Sequence, residues 1–287
     1  ELLPFAEQTY HELEKLLQIS IYHSRNVIRT FANVKEENDW LAHSAQPGYE
    51  KYVANRADIG NYKHKTTPAF GYGEVQYGAQ VNLPLLMSEY HNFLIINKQI
   101  LEEVFDYEQL IIGKSSIRYK NITADKIIFC EGAKAKANPY FNYLPFHGDK
   151  GEALIVRIPE AGFEKMLKQQ IFIVPLGNDD LYWVGSTYNP RYTDELPSES
   201  GKSYLLQHLQ HLLKIPFEVL DHVAAVRPTV RDRRPFLGLH PQFPQLGIFN
   251  GLGTKGASLG PFFAHHFMQF LLGLHPLDDS VDIRRFS

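Results

Sequence analysis

The chain has almost no cysteine, no long apolar run and no excess of positive charge, and each absence excludes a class of protein. Cys130 is its one cysteine, so no intramolecular disulfide can form and a reducing, cytoplasmic setting is expected. It lies in the apolar run Ile127 to Cys130, which predicts a buried structural thiol rather than a nucleophile. No stretch reaches the roughly 18 apolar residues that a membrane span requires. A formal net charge of −3 supplies no basic field for nucleic acid. The first residues, Glu1 to Phe5, contain neither an initiator methionine nor the basic and apolar regions of a signal peptide. They run directly into an amphipathic pattern through Tyr10, Leu13 and Leu17, so the chain is expected to begin partway along a longer sequence.

What is present describes a globular protein. Hydrophobic residues make up 44% and charged residues 21%, with proline and glycine spread along the chain. A length of 287 residues suits one large or two interleaved domains. After the first helix, residues 19–30 read as a strand and residues 35–45 as a short helix around Trp40 and Leu41. Val75, Tyr77, Ala79 and Val81 alternate as one half-buried strand. Asn82 and Pro84 then open a helix that carries Leu86, Tyr90, Phe93 and Leu101. Residues 111–119 and 126–130 are further strands, the second ending in the tight turn Glu131-Gly132-Ala133.

From Phe146 to Thr187 the pattern changes to an antiparallel block, with strands at 153–158, 171–175 and 181–187, the last following a turn at 177–180. Tyr204, Leu205, Leu209, Leu212 and Leu213 mark a helix. Residues 219–226 form an apolar strand that Arg227 ends and Pro228 exits. Glycine-turned helical segments alternating with an antiparallel block imply a mixed α/β (α+β) chain of two domains, each discontinuous in sequence.

The most informative motif is Gly251-Leu252-Gly253-Thr254-Lys255-Gly256, a G-x-G-x-x-G between the apolar run 246–249 and a helical pattern through Phe263, Phe267 and Phe270. A helix that starts behind a bare glycine turn offers free N–H groups and a positive dipole end to a phosphate or an electron-rich ring. Only 31 residues follow Gly256, too few for a dinucleotide-binding domain, so the loop closes a domain instead of opening one.

Three other signals compete. Gly256-Ala257-Ser258-Leu259-Gly260 is a formal G-x-S-x-G, but no histidine follows Asp278, Asp279 or Asp282, so the order required of a serine hydrolase using Ser258 fails. Ser258 reads more simply as a first-turn helix residue near a ligand. Among thirteen histidines, His208 with His211 and the pair His265-His266 are closest in sequence, yet neither has metal-ligand spacing, and no metal is expected. Arg227, Arg231, Arg233 and Arg234 cluster just before the glycine loop, where guanidinium groups could fork onto a carboxylate or phosphate. Arg227 is favoured, and a solvated turn paired with acids such as Asp232 is the alternative.

The segments Ala225-Val226-Arg227-Pro228-Thr229, Arg234-Pro235-Phe236-Leu237-Gly238 and 247–261 resemble the C-terminal signature of FAD-dependent amine oxidoreductases of the glycine oxidase and D-amino acid oxidase type. In the same order, 127–132 resembles that family's strand ending in a glycine near the flavin, 148–152 its K-G-E turn, and 182–187 its V-G-x-T strand.

The resemblance implies a glutathione-reductase-like FAD-binding domain, incomplete at its N-terminus because nothing before Glu1 supplies the family's opening βαβ unit. It would comprise 1–17, 84–137 and 219–287, interleaved with an antiparallel-sheet substrate domain of 18–83 and 138–218. By the same resemblance FAD is the cofactor, touched by Gly132, Gly251, Leu252, Gly253, Thr254, Lys255, Gly256 and Ser258. The substrate is an amino acid or related small amine whose C–N bond is oxidised, with Arg227 gripping a carboxylate. Phe172 stands where some members present a tyrosine, which points to a different or bulkier amine, or else to plain core. A non-catalytic scaffold of the same fold remains the alternative. No nucleic-acid or membrane partner is expected.

Overall fold

Alternating burial builds the larger sheet. In the strand Leu181–Gly185, Tyr182 and Val184 are buried while Trp183 is half-buried on the other face, and Phe172–Pro175 repeats the pattern with Ile173 inward. The computed structural model describes residues 2–54, 56–177 and 180–286; Asn178 and Asp179 of the expected turn lie outside the described residues. The chain divides into two units, one of Ile21–Leu83 and Lys150–Ala225, the other of Glu1–Ser20, Pro84–Asp149 and Val226–Ser287. Among the described residues no helix is long and apolar enough to cross a membrane.

The first unit is organised on an eight-stranded sheet. Its order is Glu218–Val230, Phe146–Arg157, Leu181–Gly185, Phe172–Pro175, Met166–Lys168, Val27–Phe31, Gly71–Val75 and Val53–Ala54. The helix Glu199–Leu212 closes one face with Leu205, Leu209 and Leu212, which pack with Ile28, Leu154, Ile173 and Val184. The other unit holds a three-stranded sheet in the order Phe236–Leu239, Leu246–Asn250, Ile127–Phe129, the last two strands parallel. Phe129, Phe141, Phe236, Leu246 and Ile248 form its core, and the helix Gly256–Leu271 buries Phe263 and Phe267 beside Leu237 and Val281.

Several expected elements are broken by contacts distant in sequence. The strand expected over 19–30 splits into Tyr22–Ser24 and Val27–Phe31 because the Arg25 amide turns to the Gly78 carbonyl, 2.8 Å away. The same contact interrupts the strand expected over 75–81: Tyr77 takes φ +57°, and Gly78 lies so close that a Cβ there would stand 2.5 Å from the Arg25 carbonyl oxygen. Residues 111–119 form a hairpin, Leu110–Ile112 with Ile117–Tyr119, closed by Gly113 N–H donating to Ser116 O at 2.8 Å. The helix expected to reach Leu101 stops at Ile96, where Asn97 donates to the Phe93 carbonyl and Lys98 adopts φ +56°.

Further corrections concern chemistry-bearing residues. Cys130 is exposed, because its strand ends at Phe129 and the thiol falls in the turn beyond. The strand expected to end at Arg227 runs on to Val230, and Pro228 is tolerated because this strand is the sheet edge. The K-G-E segment is continuous strand within Phe146–Arg157, since Lys150 pairs in both directions with the backbone of Asn189 at 3.0 and 2.9 Å.

Glu152 is 2% exposed and anchors the start of the helix Glu199–Leu212. It accepts from the backbone N–H and hydroxyl of Ser198 at 2.8 and 2.7 Å, with Lys150 Nζ at 3.6 Å and His222 Nε2 at 3.0 Å. Burial pushes its pKa up, but the two Ser198 hydrogen bonds and the nearby positive charges outweigh burial and hold it below the usual carboxylate range. A depressed folded pKa contributes stability above the unfolded value of about 4.3 that is lost as pH falls through the folded value. Glu152→Gln is expected to cost roughly 1–3 kcal/mol at pH 7. In thermal denaturation across pH, the difference from wild type should shrink below about pH 4.3; a constant difference down to pH 2 would contradict an ionised Glu152.

Candidate functional site

Two parallel strands of the second unit, Ile127–Phe129 and Leu246–Asn250, end side by side, and each leaves its sheet through a left-handed glycine. Gly132 has φ +59° and Gly251 φ +78°. A Cβ on Gly132 would meet nothing within 4 Å, so that turn faces open space, whereas one on Gly251 would stand 2.9 Å from Val230 Cγ2 and 3.2 Å from the Phe236 amide. The Asn250 side chain ties the turns together: its Nδ2 donates to Gly132 O at 3.0 Å and its Oδ1 accepts from Gly251 N–H at 2.7 Å. Glu131 steadies the first turn, accepting from the Tyr107 hydroxyl and, at 2.8 Å, from Asn138 Nδ2. Burial, and then Glu131, push the Tyr107 phenol well above its ordinary pKa and keep it a donor.

After Gly251 the chain makes a short 3₁₀ turn, Gly253–Lys255, and enters the helix Gly256–Leu271. This helix has no side-chain N-cap hydrogen bond and no acidic residue in its first turn. Its start is positioned by the helix Leu2–Leu17, whose Tyr10 hydroxyl donates to Ala257 O at 2.7 Å and whose Phe5 ring sits 5.9 Å from that of Phe262. Gly251 to Gly256 and Gly132 are thus brought to one place, as the sequence motif suggested for the loop alone. Ser258 lies in the first helical turn with its hydroxyl donating to Lys255 O at 3.2 Å; that bond is the helix-turn reading, and no histidine hydrogen-bonds to it among the described residues.

The arginine cluster separates. Arg227 is half-buried, its guanidinium 3.1 Å from Asp149 Oδ2, with Asp149 itself largely buried. Arg231, Arg233 and Arg234 are exposed in the following turn, and Asp232 pairs with Arg285 at 3.0 Å. The histidine pairs carry structural duties: His266 Nε2 accepts from Asp278 N–H at 3.0 Å, and His208 packs on the Tyr204 ring. No group of three or more possible metal-ligating side chains occurs among the described residues.

In the first unit, Phe172 lines a cavity of about 630 Å³ with Arg29, Phe31, Trp40 and Lys168. It is half-buried, and Lys168 Nζ stands 4.7 Å from its ring centroid. Phe172 is therefore a cavity wall rather than interior core. Asn250, Arg29 and Lys168 were not legible as site residues. An Asn directly before a glycine turn was the one signal for the first, and the other two become neighbours only through strand register.

Comparison with known proteins identifies the family and the fold. The family model described as FAD dependent oxidoreductase matches residues 1–269. A glycine oxidase from Geobacillus kaustophilus (strain HTA426) is 32% identical over 117 residues, a match covering 39% of this chain and 30% of that protein. A glycine oxidase structure from Bacillus cereus ATCC 14579 superposes with a TM-score of 0.79 at 16% identity, covering 96% of this chain and 81% of that one. An iminodiacetate oxidase structure from Chelativorans sp. BNC1 gives a TM-score of 0.80 at 20% identity, covering 98% and 82%. At these identities the structural likeness establishes the fold alone, a mixed α/β architecture. With the glycine turns, the bare helix start and a match along most of its length, the chain belongs to the FAD-dependent oxidoreductase family.

Proposed function

We propose that the protein is an FAD-dependent oxidoreductase acting on the C–N bond of an amino acid or a related small amine. The observation that carries this reading is the uncapped start of the helix Gly256–Leu271, set behind two left-handed glycine turns that Asn250 holds together. Such a donor set fits an electron-rich, hydrogen-bond-accepting ring edge. The bare Gly132 turn leaves room for one, and the helix dipole favours negative charge there. Gly132, Gly251, Leu252, Gly253, Thr254, Lys255, Gly256 and Ser258 would hold FAD. The unit of Glu1–Ser20, Pro84–Asp149 and Val226–Ser287 is the cofactor-binding unit, and that of Ile21–Leu83 and Lys150–Ala225 the substrate-binding one. When bound, FAD supplies two-electron acceptance as the substrate C–N bond becomes C=N, the imine then being hydrolysed by water.

The chain's own residues bind and orient. Arg227 would grip a substrate carboxylate through its planar fork, and Asp149 would fix the plane of that fork. No side-chain nucleophile is required, in keeping with Ser258 serving its helix turn.

Two measurements test this reading. Titration of FAD into the purified protein, followed by flavin fluorescence, is expected to saturate. Gly132→Asn, which tolerates the left-handed φ of +59° far better than a branched residue, should leave Tm nearly level and weaken binding by roughly tenfold or more, because its side chain enters space that is open in the protein. Absence of any FAD binding would end the reading. Arg227→Ala is expected to raise KM for a carboxylate-bearing amine by about ten- to a thousandfold, the loss of one charge-assisted contact of about 1.5–3 kcal/mol or a little more. Arg227→Lys, which keeps a cation beside Asp149, should recover stability but little of the KM; an unchanged KM in both variants would remove the clamp.

A further inference from the structure

One cross-strand row of the eight-stranded sheet breaks a pairing rule. Register sets Gly73 beside Arg29, Arg29 beside Lys168, Lys168 beside Phe172 and Phe172 beside Gly185. Arg29 and Lys168 are therefore like charges on adjacent strands, and both line the same cavity, an arrangement that repels. Neither is in an ion pair among the described residues; Lys168 donates to the Gln170 carbonyl at 3.1 Å. Burial first, and then Arg29, hold the Lys168 ammonium below its ordinary pKa.

The rest of the row is shaped for a ring. Trp40, from the helix Val34–Ser44, lies against Gly73, where a Cβ would come within 2.3 Å of the indole, so glycine is required there. Phe31, Trp40 and Phe172 supply apolar walls to the cavity of about 630 Å³, a size and lining usual for small-molecule sites. Glu36 and Asp39 also border it, but Glu36 Oε2 is engaged by the Ala32 amide at 3.1 Å and neither acid neutralises the two cations. Lys168 has only the Gln170 carbonyl and the Phe172 ring face as partners, and Arg29 has no ion-pair partner among the described residues, so a negative charge is what this row lacks.

We infer that this cavity takes an anionic group, carboxylate or phosphate, on an aromatic or apolar body. Resting on the oxidoreductase reading above, the substrate is then an acidic amine with a charge to place on Arg29 and Lys168. The cations hold the anion, and the rings of Trp40 and Phe172 flank the body that carries it.

Binding can be measured without turnover. Calorimetry and thermal shift on the purified protein would use 3-phenylpropionate, phenyl phosphate and the neutral 3-phenylpropanamide. At least one anion is expected to bind and raise Tm, with the amide about tenfold weaker or worse; the tighter anion tells carboxylate from phosphate. Lys168→Gln and Arg29→Gln should each weaken the anion by about 10- to 100-fold, the loss of one charged hydrogen bond. The ligand-free Tm of each variant should stay level or rise as the repulsion is relieved. Equal binding of anion and amide, or undiminished anion binding in both variants, would overturn the proposal; should a variant fold poorly, the comparison of anion with amide on wild type decides alone. Anion binding without FAD binding would keep this cavity and sink the oxidoreductase reading, whereas FAD binding without anion binding would sink only the cavity.

Discussion

The carboxamide of Asn250 is the joint on which the glycine cradle depends. It reaches a residue 118 positions away, donating to Gly132 O while accepting from the adjacent Gly251 N–H. Only a primary amide carries a donor and an acceptor in one planar group of this size; aspartate could accept but not donate, and leucine could do neither. Because both partners are backbone groups in left-handed turns, the bond fixes the relative position of two chain reversals, which side-chain packing alone does loosely. The helix Gly256–Leu271 inherits its starting point from that fixed turn, and Tyr10 and Phe5 then brace its first residues. A donor array held this way is preorganised, and under the reading proposed above it would need little reorganisation to meet FAD.

In the other unit the eight-stranded sheet divides its labour by face. One face is closed by the leucines of Glu199–Leu212, and the start of that helix is pinned by the buried Glu152 carboxylate. The fit is close: a Cβ on Gly201 would stand 2.3 Å from Glu152 Oε2, so this helix start admits no side chain there. The opposite face is left with Arg29, Lys168, Phe172 and Trp183, none of them fully buried. A sheet secured on one side can carry an unfavourable charge arrangement on the other, because the stability it costs is supplied by burial elsewhere.

Much of this was legible in the sequence. Period-2 and period-3.6 patterns marked strands at 153–158, 171–175 and 181–187 and a helix through Tyr204 to Leu213, though not the strand Met166–Lys168, and the glycine spacing marked the turn that precedes the helix Gly256–Leu271. What escaped depended on contacts between distant residues. Nothing local in Tyr77-Gly78 says that the Arg25 amide will turn to it and break two strands at once. Cys130 reads as the end of an apolar strand, and only the early turn at Glu131-Gly132 places its thiol outside. Arg29 and Lys168 are each unremarkable as strand residues; their conflict exists only once Val27–Phe31 and Met166–Lys168 pair in parallel. Arg227 was legible as a candidate from its setting before Pro228, but Asp149, its partner, lay hidden in a segment expected to turn.

Phe172 gives the charge on this sheet its chemical meaning. A tyrosine there would offer a neutral hydroxyl donor, worth about 0.5–1.5 kcal/mol when it finds an acceptor. Phenylalanine offers only a ring face, and that face is turned to Lys168 Nζ at 4.7 Å. The donor capacity of this row thus resides in an ammonium and a guanidinium, whose hydrogen bonds to an anion are worth about 1.5–3 kcal/mol each. The exchange strengthens the grip on a charged group and raises the cost of admitting a neutral one, since two cations would be desolvated with nothing to pair them. Selectivity for an acidic ligand then follows from penalising neutral ligands as much as from attracting charged ones.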